Sequence, residues 1–461
     1  MLSKFKAHRR RVLVATAAVL LLAACGNSGD TSAKSTSSGA SSGATTSTDV
    51  DTTQSVALTG VPGVTDTEIR YSAMGTNSNN PLGTCVLDCF SDGVEAYFAF
   101  RNDQGGIYGR KLVLSKKIDD ELANNQARAL DIVAANDTFG TFSAAQIGAG
   151  WGDLAAAGIP TYVWMINPAQ MAGHPEIFGN REVDCIDCTS KNMANVIKVA
   201  GAKKVAFLGY GISENSQQCA EWGAKTAAMY SADLGGATAV YTNSNLQFGL
   251  ANGIGPEVTA IKNAGADLII TCMDLNASKT LAQELQRQGI RGSVKVYHPN
   301  MYDSQFVAEA GGIFEGDFVG VGFRPFEADA GNSGLKDFTE WMGKTGKQVT
   351  ELAMDGWINA DLAYQGLKGA GPNFDRAKVI AATNTLTDFT ASGLTAPVDW
   401  SRQHEPPTQD DPATHGSKYE CNSIVTIKDG KFVLVGDPTK PFTCFPGQTR
   451  DWSEPTAMNF G

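Results

Sequence analysis

Past its first 25 residues the chain has no apolar run of about 18 residues, so no later segment is expected to cross a membrane as a helix. Positive charge is also scarce. The 461 residues carry 37 Lys and Arg against 48 Asp and Glu, a formal net charge of −11. No Lys/Arg cluster stands out, and phosphate backbones need one, so a nucleic-acid partner is excluded. There are only 5 histidines. His174, His298, His404 and His415 are scattered, show no catalytic pairing and are expected at the surface or in loops. No Gly-x-Ser-x-Gly elbow is present. Gly148-x-Gly150-x-Gly152 lacks the spacing of a dinucleotide loop, and Gly343-Lys344-Thr345 lacks the leading glycine of a phosphate loop. Cys185-x-x-Cys188 has no second Cys or His pair at matching spacing, so a zinc site is not expected. The chain is therefore expected to use no cofactor and no metal, and not to be an enzyme.

What is present begins at the amino terminus. Lys4, Lys6, Arg9, Arg10 and Arg11 precede the apolar run Val12 to Leu22, which is too short to span a bilayer. Leu22-Ala23-Ala24-Cys25 follows, with small residues where a signal peptide is cut. This ending resembles the lipobox of bacterial lipoproteins. The resemblance implies cleavage before Cys25, a lipid on its sulfur, and an exported protein held at the outer face of the cytoplasmic membrane or in the periplasm. An ordinary signal peptide with an incidental cysteine is the alternative, and Arg9-Arg10 leaves a twin-arginine route open. Residues 26 to 60 are rich in Ser, Thr, Gly and Ala and cannot bury enough surface to offset their ordering entropy. The expected plan is a signal peptide over 1–24 and a lipidated cysteine with a flexible tether over 25–64.

Setting Cys25 aside leaves an even number of cysteines, which in an exported chain suggests disulfides. Their order suggests Cys85 with Cys89, Cys185 with Cys188, Cys219 with Cys272, and Cys421 with Cys444. About 105 connectivities remain formally open.

From residue 66 onward, strand and helix patterns alternate. Glu68 to Met74, Arg110 to Ile118, Thr138 to Phe142 and Thr161 to Met165 read as strands, with helices over Cys89 to Asp103 and Asn124 to Asn136. A second series runs through the strands Lys204 to Leu208, Ala237 to Thr242, Asp267 to Thr271 and Val294 to Tyr297. Helices over Ser190 to Ala200, Gln217 to Ala232, Gly255 to Ala264 and Ala277 to Gln288 accompany them. Such alternation calls for an α/β fold with parallel sheets covered by helices on both faces. Helices over Met354 to Lys368 and Phe374 to Thr385 follow, then a hairpin from Ile424 to Val435 around Asp429-Gly430.

Four short stretches carry a resemblance: Gly105-Gly106-Ile107-Tyr108-Gly109-Arg110-Lys111-Leu112, Gly158-Ile159-Pro160, Gly201-Ala202-Lys203-Lys204-Val205-Ala206, and Ile261-Lys262-Asn263-Ala264-Gly265-Ala266-Asp267. In this order the chain resembles the type I periplasmic-binding fold, in particular the leucine/isoleucine/valine-binding branch of ABC-transporter receptors, over residues 66 to 437. The resemblance implies two Rossmann-like lobes joined by three hinge crossovers near Val183, Phe323 and Asp399. Lobe 1 would hold 65–183 plus 323–399, and lobe 2 would hold 184–322 plus 400–461. A small-molecule ligand would sit where strand carboxyl ends face the cleft and be delivered to permease subunits.

The same resemblance implies site residues. The lobe 1 loop is Phe142-Ser143-Ala144-Ala145-Gln146, and the family's serine pair falls on Ala144 and Ala145. The following helix N-terminus would still offer N–H groups to an anion. A family threonine falls near Asn167, after Trp164 and Met165. In lobe 2, the loop from Tyr210 to Ser216 and the segment Met273-Asp274-Leu275 should face the cleft. The family's ammonium-binding carboxylate matches Asn300, a neutral amide, which argues against a simple α-amino acid. The expected ligand is fairly apolar, or a carboxylic acid or amide. It would be held by Trp164, Met165, Tyr210 and Met273, with Ser143, Gln146 and Asn167 as polar guides. Asp274 reads equally well as a helix-capping acid. A ligand sensor on the same fold, or an exported enzyme, are the competing functions.

Overall fold

The computed structural model describes residues 51–81, 83–164, 168–182, 189–404 and 419–446. Cys25, Met165, Asn167, Cys185, Cys188 and the expected crossover near Val183 lie outside the described residues.

The first sheet contains β1 (Glu68–Gly75), β2 (Lys111–Asp119), β3 (Gly140–Ala144), β4 (Thr161–Val163) and β5 (Ile177–Gly179). Their order is β2-β1-β3-β4-β5 and every pairing is parallel. The intervening helices are α1 (Leu87–Asp103), α2 (Asn125–Ala135), α3 (Trp151–Ala156) and α4 (Pro168–Met171).

The second series alternates α5 (Lys191–Ala200), β6 (Lys204–Tyr210), α6 (Glu214–Met229), β7 (Thr238–Leu246), α7 (Gly255–Ala264), β8 (Leu268–Cys272), α8 (Leu275–Arg287), β9 (Lys295–His298), α9 (Ser304–Glu309) and β10 (Phe318–Val321). The chain then returns to the first sheet as α10 (Leu335–Lys344), α11 (Glu351–Ala370) and α12 (Arg376–Thr383), whose apolar faces share that sheet's core. It finally comes back as β11 (Tyr419–Lys428), β12 (Lys431–Leu434) and β13 (Thr443–Pro446). The second sheet runs β12-β11-β10-β9-β8-β6-β7, with β13 also on β11. Strands β6 to β10 pair in parallel, and β11 to β13 pair antiparallel.

Strand periodicity explains the layers. Val205, Phe207, Leu268, Ile270 and Cys272 pack into one cluster with Ile197, Ala220 and Ala227 of α5 and α6. The alternate residues Ala206, Leu208 and Ile269 pack into another with Val258, Ile261, Leu281 and Leu285 of α7 and α8. A sheet apolar on both faces needs helices on both sides.

The short motifs also acquire physical reasons. Gly201 and Gly265 each end a helix with φ of 68°, a left-handed turn that favours glycine. Each then feeds a buried strand, β6 or β8. Arg110 is 1% exposed, and its guanidinium donates to the carbonyls of Thr65 (2.7 Å), Tyr108 (3.0 Å) and Val56 (2.8 Å). This contact corrects the expected tether. Residues 51–64 lie along the first lobe, where the Thr52 carbonyl accepts from Tyr108 N at 2.6 Å and Leu58 and Val61 pack on the core. The histidine expectation also changes. His298 is 1% exposed and bonds Ser278 Oγ at 3.1 Å and Asp317 Oδ2 at 3.2 Å. That serine–histidine–carboxylate line is sealed from solvent, and Asp317 also bonds Arg291 and Val296 N, so it braces β9.

Candidate ligand-binding site

A cavity of about 240 Å³ lies where the carboxyl ends of both sheets meet. Many of the wall residues stand at or just past a strand end, and the α5, α6 and α11 amino-terminal turns supply others. Trp164 follows β4 and Asn180 and Arg181 follow β5. In the second lobe Tyr210 ends β6, Met273 and Asp274 follow β8, Asn300 follows β9, and Gly322 follows β10. The first turn of α11 adds Glu351 and Asp355, and β11 adds Glu420. Strand alternation sets this arrangement, because side chains beyond the last ladder bond are released from the core into the crevice.

Gln146, Trp164, Tyr210, Met273, Asp274 and Asn300 all line this cavity. Three other expected site residues do not. Ser143 is buried, with its Oγ accepting from Trp151 Nε1 at 3.2 Å, and Ala144 and Ala145 are packed in the first lobe. The expected anion seat is also filled. The N–H groups of Ala149 and Gly150 both donate to Asn125 Oδ1 at 3.0 Å, and α3 begins only at Trp151. The side chain of Asn125 thus takes the place an anion would occupy.

Asp274 both caps and faces the cleft. One oxygen accepts from Ala277 N at 3.1 Å, capping α8, and the other accepts the Tyr210 hydroxyl. Burial pushes the Asp274 carboxyl above its usual range, opposed by the Tyr210 hydroxyl and the cap. Burial, and then the neighbouring Asp274, push the Tyr210 hydroxyl far up, so it stays a donor. Phe248 packs its ring against Tyr210 at 5.1 Å between centroids.

Glu420 is 3% exposed. Its carboxylate accepts from Ser190 Oγ (2.8 Å), Lys191 N (2.9 Å) and Asn192 N (3.0 Å), and so binds the free N–H groups at the start of α5. Burial nevertheless raises its proton affinity. A third acidic group in the cavity is Asp355 with Glu351, one helical turn apart. Asp355 accepts from Asn180 Nδ2 at 2.7 Å and from the Trp164 side chain. Burial lifts its carboxyl to about 7, against the pull of Arg181 and these hydrogen bonds. Burial and then the nearby Asp355 charge push half-buried Glu351 well above the carboxylate range, again opposed by Arg181.

Sequence reasoning missed Asn180, Arg181, Glu351, Asp355 and Glu420. β5 is 3 residues long, and nothing in the sequence says that α11 and β11 return to this cleft. Disulfides border the same space. The structure joins Cys219 to Cys272 and Cys421 to Cys444, with Cα atoms 6.0 and 4.1 Å apart, and Cys85 to Cys89 beside the lining residue Thr84.

Fold and cleft together define a two-lobed solute-binding protein of type I architecture. A family model described as "Periplasmic binding protein" matches residues 86–414, and the chain belongs to that family. Solved structures share the fold at low identity. A fatty acid ABC transporter substrate-binding protein from Thermomonospora curvata is 16% identical, with a TM-score of 0.61 over 84% of this chain and 94% of its own. A solute-binding protein from R. palustris, in complex with 4-hydroxybenzoate, is 20% identical, with a TM-score of 0.61 over 84% and 98%. A branched-chain amino acid ABC transporter protein from Thermus thermophilus, with bound valine, is 16% identical, with a TM-score of 0.60 over 80% and 95%. No curated protein sequence is significantly similar to the chain.

Proposed function

We propose that the chain is the extracytoplasmic receptor of an ABC transporter, capturing one small molecule by closure of its lobes and releasing it chemically unchanged to permease subunits. The carrying observation is the cavity itself, whose walls include the strand ends of both sheets, so that closing the cleft buries whatever occupies it. The hinges would lie near Val183, Phe323 and Asp399, dividing the chain into 65–183 plus 323–399 and 184–322 plus 400–461. Cys25 would carry a lipid that keeps the receptor at the membrane.

Trp164, Tyr210, Phe248 and Met273 give the cavity an apolar wall. Burying about 200 Å² of ligand surface there contributes roughly 5 kcal/mol. Micromolar binding needs about 8 kcal/mol, so directed polar contacts must supply the rest.

A thermal-shift screen of the purified mature chain against small metabolites tests the receptor reading. A true ligand raises the melting temperature by mass action, lowers the radius of gyration in X-ray scattering, and is recovered intact after incubation. Ligand turnover, or a library that yields no binder at all, would sink the proposal.

A further inference from the structure

The cavity is rich in acceptors. Among its described lining residues, Arg181 is the sole Lys, Arg or His, whereas Glu182, Asp274, Glu351, Asp355 and Glu420 are all acids. Two of these acids already have partners, Glu420 at the α5 N-terminus and Asp274 on Tyr210 and the α8 cap. In the Asp355 and Glu351 pair, Asp355 accepts from Asn180 Nδ2 and the Trp164 side chain, Glu351 from the Tyr302 N–H, and Arg181 is close to both.

An independent observation points to the same place. Asn180 lines the cavity and is 9% exposed. Its amide orientation is set by Nδ2 donating to Asp355, and its Oδ1 has no hydrogen-bond partner among the described residues. A buried acceptor without a donor costs about 1–3 kcal/mol, so a donor arriving with the ligand restores it. Gln218, also lining, repeats the pattern, with Nε2 given to Glu214 and Oε1 without a partner among the described residues. For an anion the cavity offers little. Arg181 lies in the field of two carboxyls, and the Ala149 and Gly150 N–H groups are taken by Asn125.

We propose that the ligand is a small organic amine bound as its cation, with the ammonium seated between Asn180 Oδ1 and the carboxylates of Asp355 and Glu351 and the apolar part against Trp164 and Tyr210. This rests on the receptor reading and replaces the apolar, carboxylic or amide ligand expected from the sequence with a donor of positive charge. An ammonium supplies up to three donors to converging acceptors, and aromatic faces favour a cation further.

A sign in the pH dependence follows. The groups around the pair are Arg181, Asp303, Tyr297, Asn180, Trp164 and the Tyr302 backbone N–H. A cation displaces the proton this buried pair holds near neutrality, so amine affinity rises with pH through about 7. An anionic ligand would show the opposite slope.

The test is calorimetry on the mature chain with skeleton-matched probes: phenethylamine against 3-phenylpropionate, and isoamylamine against 4-methylpentanoate. At least one amine should bind about tenfold or more tighter than its matched acid. Its affinity should rise between about pH 6 and pH 8. Asp355→Asn should weaken it about tenfold, and half-buried Glu351→Gln should flatten the pH slope. If a variant does not fold, the wild-type preference and slope still decide. Tighter binding of the acids, an inverted slope, or no binding by either amine overturns the inference. The receptor reading survives that result if the unbiased metabolite screen finds a binder, and fails only if it does not.

Discussion

Arg110 shows what one residue contributes when it is fully enclosed. Its three carbonyl partners come from residues 56, 65 and 108, so one guanidinium pins the amino-terminal segment, the lead-in to β1 and the turn before β2. A lysine carries the same charge on a single nitrogen and cannot span three separated acceptors. Arg110→Lys is therefore expected to cost about 2–4 kcal/mol, with the lost bonds leaving buried carbonyls unsatisfied. Urea denaturation reads this as a lower midpoint at unchanged slope, and an unchanged midpoint would refute the assignment. The motif was visible in the sequence, but its reason was not, because two of the three carbonyls lie far from Arg110 along the chain. The cleft has the same division. Tyr210, Met273 and Asn300 lie just past apolar runs that read as strands, and the family resemblance implied that they face the cleft whose wall they line. Asp355 sits one turn into a helix whose apolar pattern says only that it is buried, and what it faces depends on tertiary return.

Among the elements, α7 spans Gly255–Ala264 as expected, while the longer α6 and α11 were legible to within about three residues at their ends. β10, with 4 residues, and β5, with 3, were not: runs this short show little period, and neither follows a lead-in such as the Gly158-Ile159-Pro160 that marks the equally short β4. β3 also sits later than expected, at Gly140–Ala144 rather than from Thr138. Helix α11 illustrates what patterning conceals. It crosses α1 so closely that a Cβ on Gly356 would stand 2.0 Å from the Phe90 carbonyl oxygen, and one on Gly93 would stand 1.7 Å from that of Ala353. The glycines allow two backbones to touch, and this contact ties the returning helices to the first lobe. Gly356→Ala, which raises intrinsic helix propensity, is nonetheless expected to destabilise by about 2–3 kcal/mol because backbone must move. Thermal unfolding distinguishes the two effects by sign, and a stabilised variant would show that the crossing can relax.

At the scale of the molecule, the disulfides and the hinges play complementary parts. Among the described residues, Cys219–Cys272 and Cys421–Cys444 each stay within the second lobe, and Cys85–Cys89 stays at the head of α1, so these bridges stiffen walls without locking the lobes together. A direct polar contact across the cleft mouth is weaker. Asn276, in the first turn of α8, donates its Nδ2 to the Pro81 carbonyl at 2.8 Å, joining the second lobe to the loop that leads into Cys85. Asn276 is exposed and outside the cavity lining, so its loss removes a clasp without reshaping the site. An exposed hydrogen bond of this kind is worth about 0.5–1.5 kcal/mol, which is enough to shift a balanced open–closed equilibrium several-fold. Asn276→Ala should therefore leave the unfolding midpoint nearly unchanged while enlarging the radius of gyration of the unliganded protein in X-ray scattering. Ligand affinity should fall by about threefold to tenfold, mostly through faster release. A closure equilibrium and affinity both unaffected by the substitution would mean that this contact follows closure rather than holding it.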